Sequence, residues 1–123
     1  MKLRIKENML RFRLTQTETE QLISGKSISS TILFPNDKSL TYTLLPYTGE
    51  NTTVECSDQT IKIRLGTLDC ESLADPKTVG VQNMHQTKGE ALSLLIEKDF
   101  TCLHPRAGED QDTFPNPNKK EIA

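Results

Sequence analysis

The sequence predicts an α+β domain: a curled antiparallel sheet or barrel-like meander of about seven or eight short strands, with one short helix after the first hairpin. Three observations lead to this fold class. Short segments of alternating apolar and polar residues recur about every ten residues, and turn-forming residues separate them. One segment carries a clear helix start. Strands and helices do not alternate regularly, which excludes a doubly wound sheet.

The first 14 residues are predicted to form a β-hairpin. Leu3 and Ile5 alternate with basic residues in KLRIK, and the same alternation continues in MLRFRL beyond a turn at Glu7-Asn8. A period of two places the apolar side chains on one face of the sheet and the basic side chains on the other. The hairpin is therefore expected to be basic on its outer side.

A helix is predicted directly after this hairpin. Thr15 is a candidate N-cap, and Glu18, three residues later, completes a capping box. Leu22 and Ile23 supply an apolar patch, and Gly25 is a natural stop. A helix of about ten residues is marginal alone, so packing against the sheet must stabilise it.

The rest of the chain carries mostly strand patterns. The further strands are predicted at residues 28–34, 40–44, 52–56, 60–65, 79–81 and 91–96. Residues 69–74 allow one helical turn before Pro76. The nearly continuous apolar run LSLLI in the last strand is typical of a central strand that is covered on both faces. No repeat with a period of 20–50 residues is visible.

Length and composition indicate one small domain, residues 1–117, followed by a polar tail at 118–123 that is expected to fray. There is no apolar run that resembles a signal peptide or a membrane span. Three cysteines without regular spacing fit a reducing compartment. We therefore expect a cytoplasmic protein that does not associate with a membrane.

Charge is unevenly distributed along the chain. The net charge of −2 argues against a general nucleic-acid binder. However, the first 14 residues hold five cations against Glu7 alone, whereas residues 97–112 are acidic. The acidic residues of that segment are Glu97, Asp99, Glu109, Asp110 and Asp112. One interpretation of this pattern is that an acidic loop faces the basic hairpin.

Two stretches resemble a known group of proteins. They are MKLRIKENMLRFRLTQTETEQL near the start and LLIEKDFTCLHPRAGEDQDTFPNP near the end. Both are similar to small bacterial proteins that are classed as a domain of unknown function. The resemblance implies a compact, bacterial, intracellular domain, and it implies no activity, ligand or catalytic residue.

The leading functional hypothesis is a non-enzymatic binding or accessory module that uses a basic sheet face for a protein or a small anionic ligand. The candidate residues are Lys2, Arg4, Lys6, Arg11 and Arg13, joined by Lys62 and Arg64 from another strand. Like charges so close repel each other. Either the side chains form a solvated face, or the chain's own acidic segment or an external anion compensates them. Nucleic acid is disfavoured because this face lacks aromatic side chains for stacking. No cofactor is expected. The sequence pattern does not indicate whether the protein is a monomer or an oligomer.

The alternative is a metal-binding protein or small enzyme centred on Cys102 and His104, with Asp99 as a third group. On an extended segment the Cα atoms of a Cys-x-His pair lie about 6–7 Å apart on one face, which one tetrahedral zinc ion can span. Cys56, Cys70 and His85 are the candidates for further ligands. Cys102 could also act as a nucleophile with His104 or His85 as base, with Asp99 orienting the base and Arg106 nearby.

Against this alternative, the segment from Glu97 to Pro117 is also typical of a polar stretch that follows the end of a strand. Cys102 then packs as a small buried residue. The acids Glu109, Asp110 and Asp112 do not follow the calcium-loop pattern and form a solvated loop. Phe114-Pro115 acts as a hydrophobic latch that holds the C-terminal segment down.

Overall fold

The computed structural model describes residues 1–100 and Phe114. In this part of the chain there are eight strands and two helices. In chain order they are β1 (Lys2–Lys6), β2 (Met9–Leu14), α1 (Gln16–Ile23), β3 (Ile28–Leu33), β4 (Ser39–Pro46), β5 (Thr53–Ser57), β6 (Thr60–Leu65), α2 (Thr67–Ala74), β7 (Gly80–His85) and β8 (Leu92–Lys98). The predicted α+β class and strand number are confirmed.

The strands form two four-stranded sheets. Sheet A has the order β1-β2-β8-β7, and sheet B has the order β3-β4-β6-β5. The hairpins β1–β2, β3–β4, β5–β6 and β7–β8 are antiparallel, but the central pairs β2–β8 and β4–β6 are parallel. The expectation of one curled antiparallel sheet or a barrel-like meander is therefore wrong. Each helix carries the chain from one sheet to the other. The hairpins before and after a helix therefore lie in different sheets, and each sheet joins two hairpins that are not consecutive through a helix.

The two halves of the chain have the same arrangement. The first half runs β1-β2-α1-β3-β4 and the second runs β5-β6-α2-β7-β8, and each sheet takes one hairpin from each half. The hairpin turns correspond closely, since Glu7 and Asp58, 51 positions apart, have φ angles of 51° and 50°. The structural repeat thus lies just beyond the period of 20–50 residues in which the sequence shows none.

The core is built from equivalent positions of the two halves. On β2 and β6 every second residue is buried, and the six residues are Leu10, Phe12, Leu14, Ile61, Ile63 and Leu65. Leu22 of α1 and Leu73 of α2, again 51 positions apart, join the same cluster. The Phe12 ring, 6.2 Å from the Tyr42 ring between centroids, connects sheet A with sheet B. The inner faces of both sheets therefore share one core, on which the helices pack.

The two helices begin differently. The predicted capping box of α1 is present, because the Thr15 side chain accepts from the Glu18 N–H and the Glu18 side chain accepts from the Thr15 N–H. At the start of α2, Gly66 has no side chain to serve as a cap, and Thr52 Oγ1 accepts from the Gly66 N–H at 3.0 Å. The prediction of one helix is wrong because α2 begins without a side-chain cap. A capping pattern cannot reveal it.

Candidate functional site

The five cations of the first hairpin share the outer face of sheet A. In the β1–β2 register, Lys2 lies opposite Arg13 and Arg4 lies opposite Arg11. The alternate residues of β2 are buried in the core, so these side chains point away from it. We call Lys2, Arg4, Lys6, Arg11 and Arg13 the basic face. The face predicted from the period-two pattern thus exists as a geometric feature.

Two pairs of directly opposed cations repel each other, and Glu97 of β8 offsets part of this repulsion. Directly opposite side chains in antiparallel strands have Cβ atoms about 4.5–5.5 Å apart. Glu97 lies beside Arg13 in the β2–β8 register, and its Oε1 is 2.5 Å from Arg11 Nε and 3.6 Å from Arg13 Nε. The hydrogen bond to Glu97 raises the pKa of Arg11 above its ordinary value. Glu97 therefore holds Arg11 by a hydrogen bond and provides a nearby counter-charge for Arg13.

The remaining cations have less compensation. Lys2 Nζ lies 3.5 Å from Asp99 Oδ2, while Arg4 and Lys6 form no ion pair with a described residue. Within the described part of the chain, two carboxylates thus meet five cations on this face. A small groove of 160 Å³ lies among Lys2, Leu3, Arg4, Arg11 and Arg13. This groove is an electropositive recess at the sheet surface.

The outer face of sheet A also has an uncharged side. Continuing the register across β8 and β7 places Leu95 and Gln82 in the row of Arg4 and Arg11. The next row contains Lys6, Met9, Ser93 and Met84. The cations are therefore concentrated on β1 and β2, and half-exposed apolar side chains border them.

Lys62 and Arg64 do not join the basic face. Both lie on β6 in sheet B, where Arg64 Nη1 is 2.9 Å from Glu55 Oε1. Their surroundings are rich in hydroxyl groups, with hydrogen bonds between Ser29 and Thr43 and between Thr31 and Thr41. The structure therefore brings together five of the seven predicted cations.

The residues of the alternative site are mostly outside the described residues, namely Cys102, His104, Arg106 and the acids at 109, 110 and 112. Asp99 is described, and its carboxylate pairs with Lys2. Cys56 lies exposed on β5, Cys70 on α2 and His85 on β7. Residues 1–100 and Phe114 contain no group of three His, Cys, Asp or Glu side chains that could hold a metal ion.

Sequence reasoning missed a polar network at the start of α2. Asp69 accepts hydrogen bonds from the Thr52 hydroxyl and, at 2.9 Å, from Asn83 Nδ2. Asn83 Oδ1 lies 2.5 Å from His85 Nε2. These contacts line a groove of 340 Å³ and tie α2 to β7. The network gives the Asp69 carboxylate, in the first turn of α2, two hydrogen-bond donors from outside the helix.

Sequence reasoning also missed Lys98, whose side chain points inward. Lys98 is 6% exposed, and its Nζ donates to the Asp75 carbonyl at 2.9 Å. Burial lowers its pKa, and the Asp75 charge opposes that change. The sequence does contain a pattern that indicates this inward position, because the alternation of Leu92, Leu94 and Ile96 extends to Lys98.

The C-terminal end of β8 is held by an aromatic contact. Phe114 packs edge-on against Phe100 with ring centroids 5.6 Å apart, and its N–H donates to the Asp99 carbonyl. Lys98 Nζ lies 5.4 Å from the Phe114 ring centroid. These contacts of Phe114 agree with the predicted latch, of which Pro115 lies outside the described residues.

Together these features define a small α+β domain of two mixed sheets with a cationic outer face. The chain belongs to a family of unknown function (DUF7009), whose model matches residues 1–118. This agrees with the resemblance seen in the sequence. No curated protein and no solved structure shows significant similarity to the chain. Neither helix in the described part of the chain has the length and apolar character needed to cross a membrane.

Proposed function

We propose that the protein is a non-enzymatic binding module whose basic face holds an acidic surface of another protein. The observation that carries this proposal is the opposition of Arg4 to Arg11 and of Lys2 to Arg13 in adjacent strands. An arrangement of like charges directly across a ladder destabilises the sheet. A partner that supplies carboxylates would convert this repulsion into attraction.

The geometry favours a carboxylate-bearing partner. Glu97 orients Arg11 before any partner arrives, and a fixed guanidinium loses less side-chain freedom on binding. Arg4 and Lys6 form no ion pair with a carboxylate of the described residues. Exposed cations of this kind raise association rates and make binding sensitive to salt.

A protein surface suits this face better than a nucleic acid or a single small anion. The uncharged neighbours Met9, Leu95 and Met84 offer apolar contact area, which a lone anion does not use. No aromatic residue lies among the positions of sheet A that point outward in the described strands. Stacking on single-stranded bases therefore has no platform here.

The test uses the double variant Arg4→Gln/Lys6→Gln, which leaves the Glu97 contacts in place. Lys62→Gln/Arg64→Gln is the matched control, because it removes two positive charges from β6 in sheet B. We expect binding to a poly-glutamate probe at low salt to weaken at least about tenfold in the first variant and little in the control. Partners captured from the native lysate should follow the same order.

Equal losses in both double variants would contradict the proposal, because net charge alone would then explain binding. Displacement of the probe by phosphate or citrate at stoichiometric concentrations would show that the face is a small-anion site instead. Circular dichroism and a urea titration of each variant separate a binding defect from a folding defect.

A further inference from the structure

An open cleft lies away from the basic face, between the two helices and the end of β8. Its volume is 440 Å³, which falls in the usual range of about 300–1,000 Å³ for sites of small molecules. The apolar part of its wall comes from both helices and from the chain after β8. The contributing residues are Ile23, Leu73, Ala74, Pro76, Phe100 and Phe114.

Lys98 is the cation of this cleft. Its ammonium group has three donors, and among the described residues one acceptor, the Asp75 carbonyl, is within hydrogen-bond distance. The Phe114 ring lies nearby at 5.4 Å. A buried ammonium is costly unless it is paired and hydrogen-bonded. Two of its N–H groups thus lack a described protein acceptor in a place that is 94% shielded from solvent.

Two acidic side chains are close to the cleft. Glu20 lines it but is exposed, so that solvent screens its charge. Asp75 acts on Lys98 through its charge, and its Oδ1 accepts from the Lys77 N–H. Neither carboxylate makes an ion pair with Lys98.

We propose that this cleft binds a small amphipathic carboxylate. The carboxylate accepts the two remaining Lys98 N–H groups, and the apolar body of the ligand packs against Ile23, Leu73 and Phe100. A charge-assisted hydrogen bond in a shielded place is stronger than one at the surface. The apolar wall adds the affinity that hydrophobic burial provides. The site is independent of the basic face.

The probe is 4-phenylbutyrate, with the uncharged 4-phenylbutanol as its matched analogue, titrated into the ¹⁵N-labelled full chain. We expect saturable amide shifts at residues 19–23, 73–75 and 98–100. Lys98→Met keeps most of the length of the side chain and removes its charge. In this variant the Kd for the carboxylate should rise at least about tenfold, whereas the Kd for the alcohol should change less than about twofold.

Two further variants complete the design. Lys77→Met removes an exposed lysine that does not line the cleft, and it should leave both affinities unchanged. Ile23→Gln changes the apolar wall and should weaken the binding of both ligands. This variant tests the cleft if Lys98→Met does not fold. Absence of saturable binding to the wild type would overturn the proposal. Equal losses of affinity for the acid and the alcohol in Lys98→Met would also overturn it. So would a loss of carboxylate binding in Arg4→Gln/Lys6→Gln while Lys98→Met still binds the carboxylate normally.

Discussion

The hairpins Lys2–Leu14 and Thr53–Leu65 occupy equivalent places in the two halves, and their inward residues are alike in size and burial. Their outward residues differ. In the second hairpin Glu55 pairs with Arg64, whereas in the first hairpin the position equivalent to Glu55 is Arg4. The carboxylate for the first hairpin comes from Glu97 on β8, in the other half of the chain. The same framework thus accepts a neutralised hairpin, so the fold itself does not require the basic face.

The starts of the two helices show a second contrast. Thr15 caps α1 with its side chain, which accepts from the Glu18 N–H. Gly66 at the equivalent position makes no side-chain cap, and its own N–H donates to Thr52 Oγ1. Gly66 has an ordinary extended backbone with a φ of −69°. Its small size matters because a Cβ at this position would lie 2.2 Å from the Glu50 carbonyl oxygen. The second half therefore cannot use the cap of the first.

The largest effect is expected from exchanging these residues. Gly66→Thr should lower the free energy of unfolding by about 3 kcal/mol, because backbone atoms of the loop before β5 must move. Thr15→Gly should cost only about a few tenths of a kcal/mol, since glycine is tolerated at an N-cap. Urea titrations of both variants against the wild type measure the difference. Equal stability of the two variants would show that the loop yields easily and that the contrast is not steric.

A smaller effect is expected from the two carboxylates. Glu97→Gln should cost about 1 kcal/mol at low salt, because Arg11 loses a charged acceptor and Arg13 loses a nearby counter-charge, both beside other cations. Glu55→Gln should cost less than about 0.5 kcal/mol, since its pair with Arg64 is largely exposed. Salt at 1 M should reduce the cost at Glu97, because screening weakens the repulsion. A cost that does not respond to salt would indicate lost packing instead of charge.

The smallest effect concerns two cysteines of the second half and leaves stability at neutral pH unchanged. Burial, with the Asp69 charge as the second cause, raises the pKa of the Cys70 thiol, whereas Cys56 is exposed. In single-cysteine proteins that carry Cys102→Ser, iodoacetamide should modify Cys56 at pH 8 faster than Cys70, because less of Cys70 is thiolate.

The same shift in pKa has a consequence for stability. As pH rises through the ordinary thiol pKa of 9.0, the unfolded chain releases the Cys70 proton first. The wild type should therefore lose stability relative to Cys70→Ala above about pH 9. A parallel pH dependence of the two proteins would contradict the burial of this thiol.

Much of the local structure could be predicted from the sequence. The alternation in KLRIK and MLRFRL gave the hairpin and its basic outer side, and Thr15 with Glu18 gave the start of α1. The apolar run in β8 indicated a central strand, and β8 does lie between β2 and β7. Its outer face is half-buried, however, with Glu97 among the arginines, so it is not covered on both sides.

The long-range arrangement could not be predicted in this way. Alternation gives the face on which a side chain lies, but it does not identify the neighbouring strand. Lys62 and Arg64 alternate in the same manner as Arg11 and Arg13, yet they lie in the other sheet. The symmetry of the halves was hidden because equivalent core positions, such as Phe12 and Ile63, keep hydrophobicity and not identity.

The parallel pairing of β2 with β8 has a consequence for how the chain folds. Leu10 is paired with Leu94, so sheet A closes a loop of nearly the whole described chain. Contacts between residues so far apart in sequence must overcome a large loop-closure entropy before they add stability. During synthesis, the first hairpin must remain without its partner until β8 has emerged from the ribosome. We therefore expect slow folding for a domain of this size.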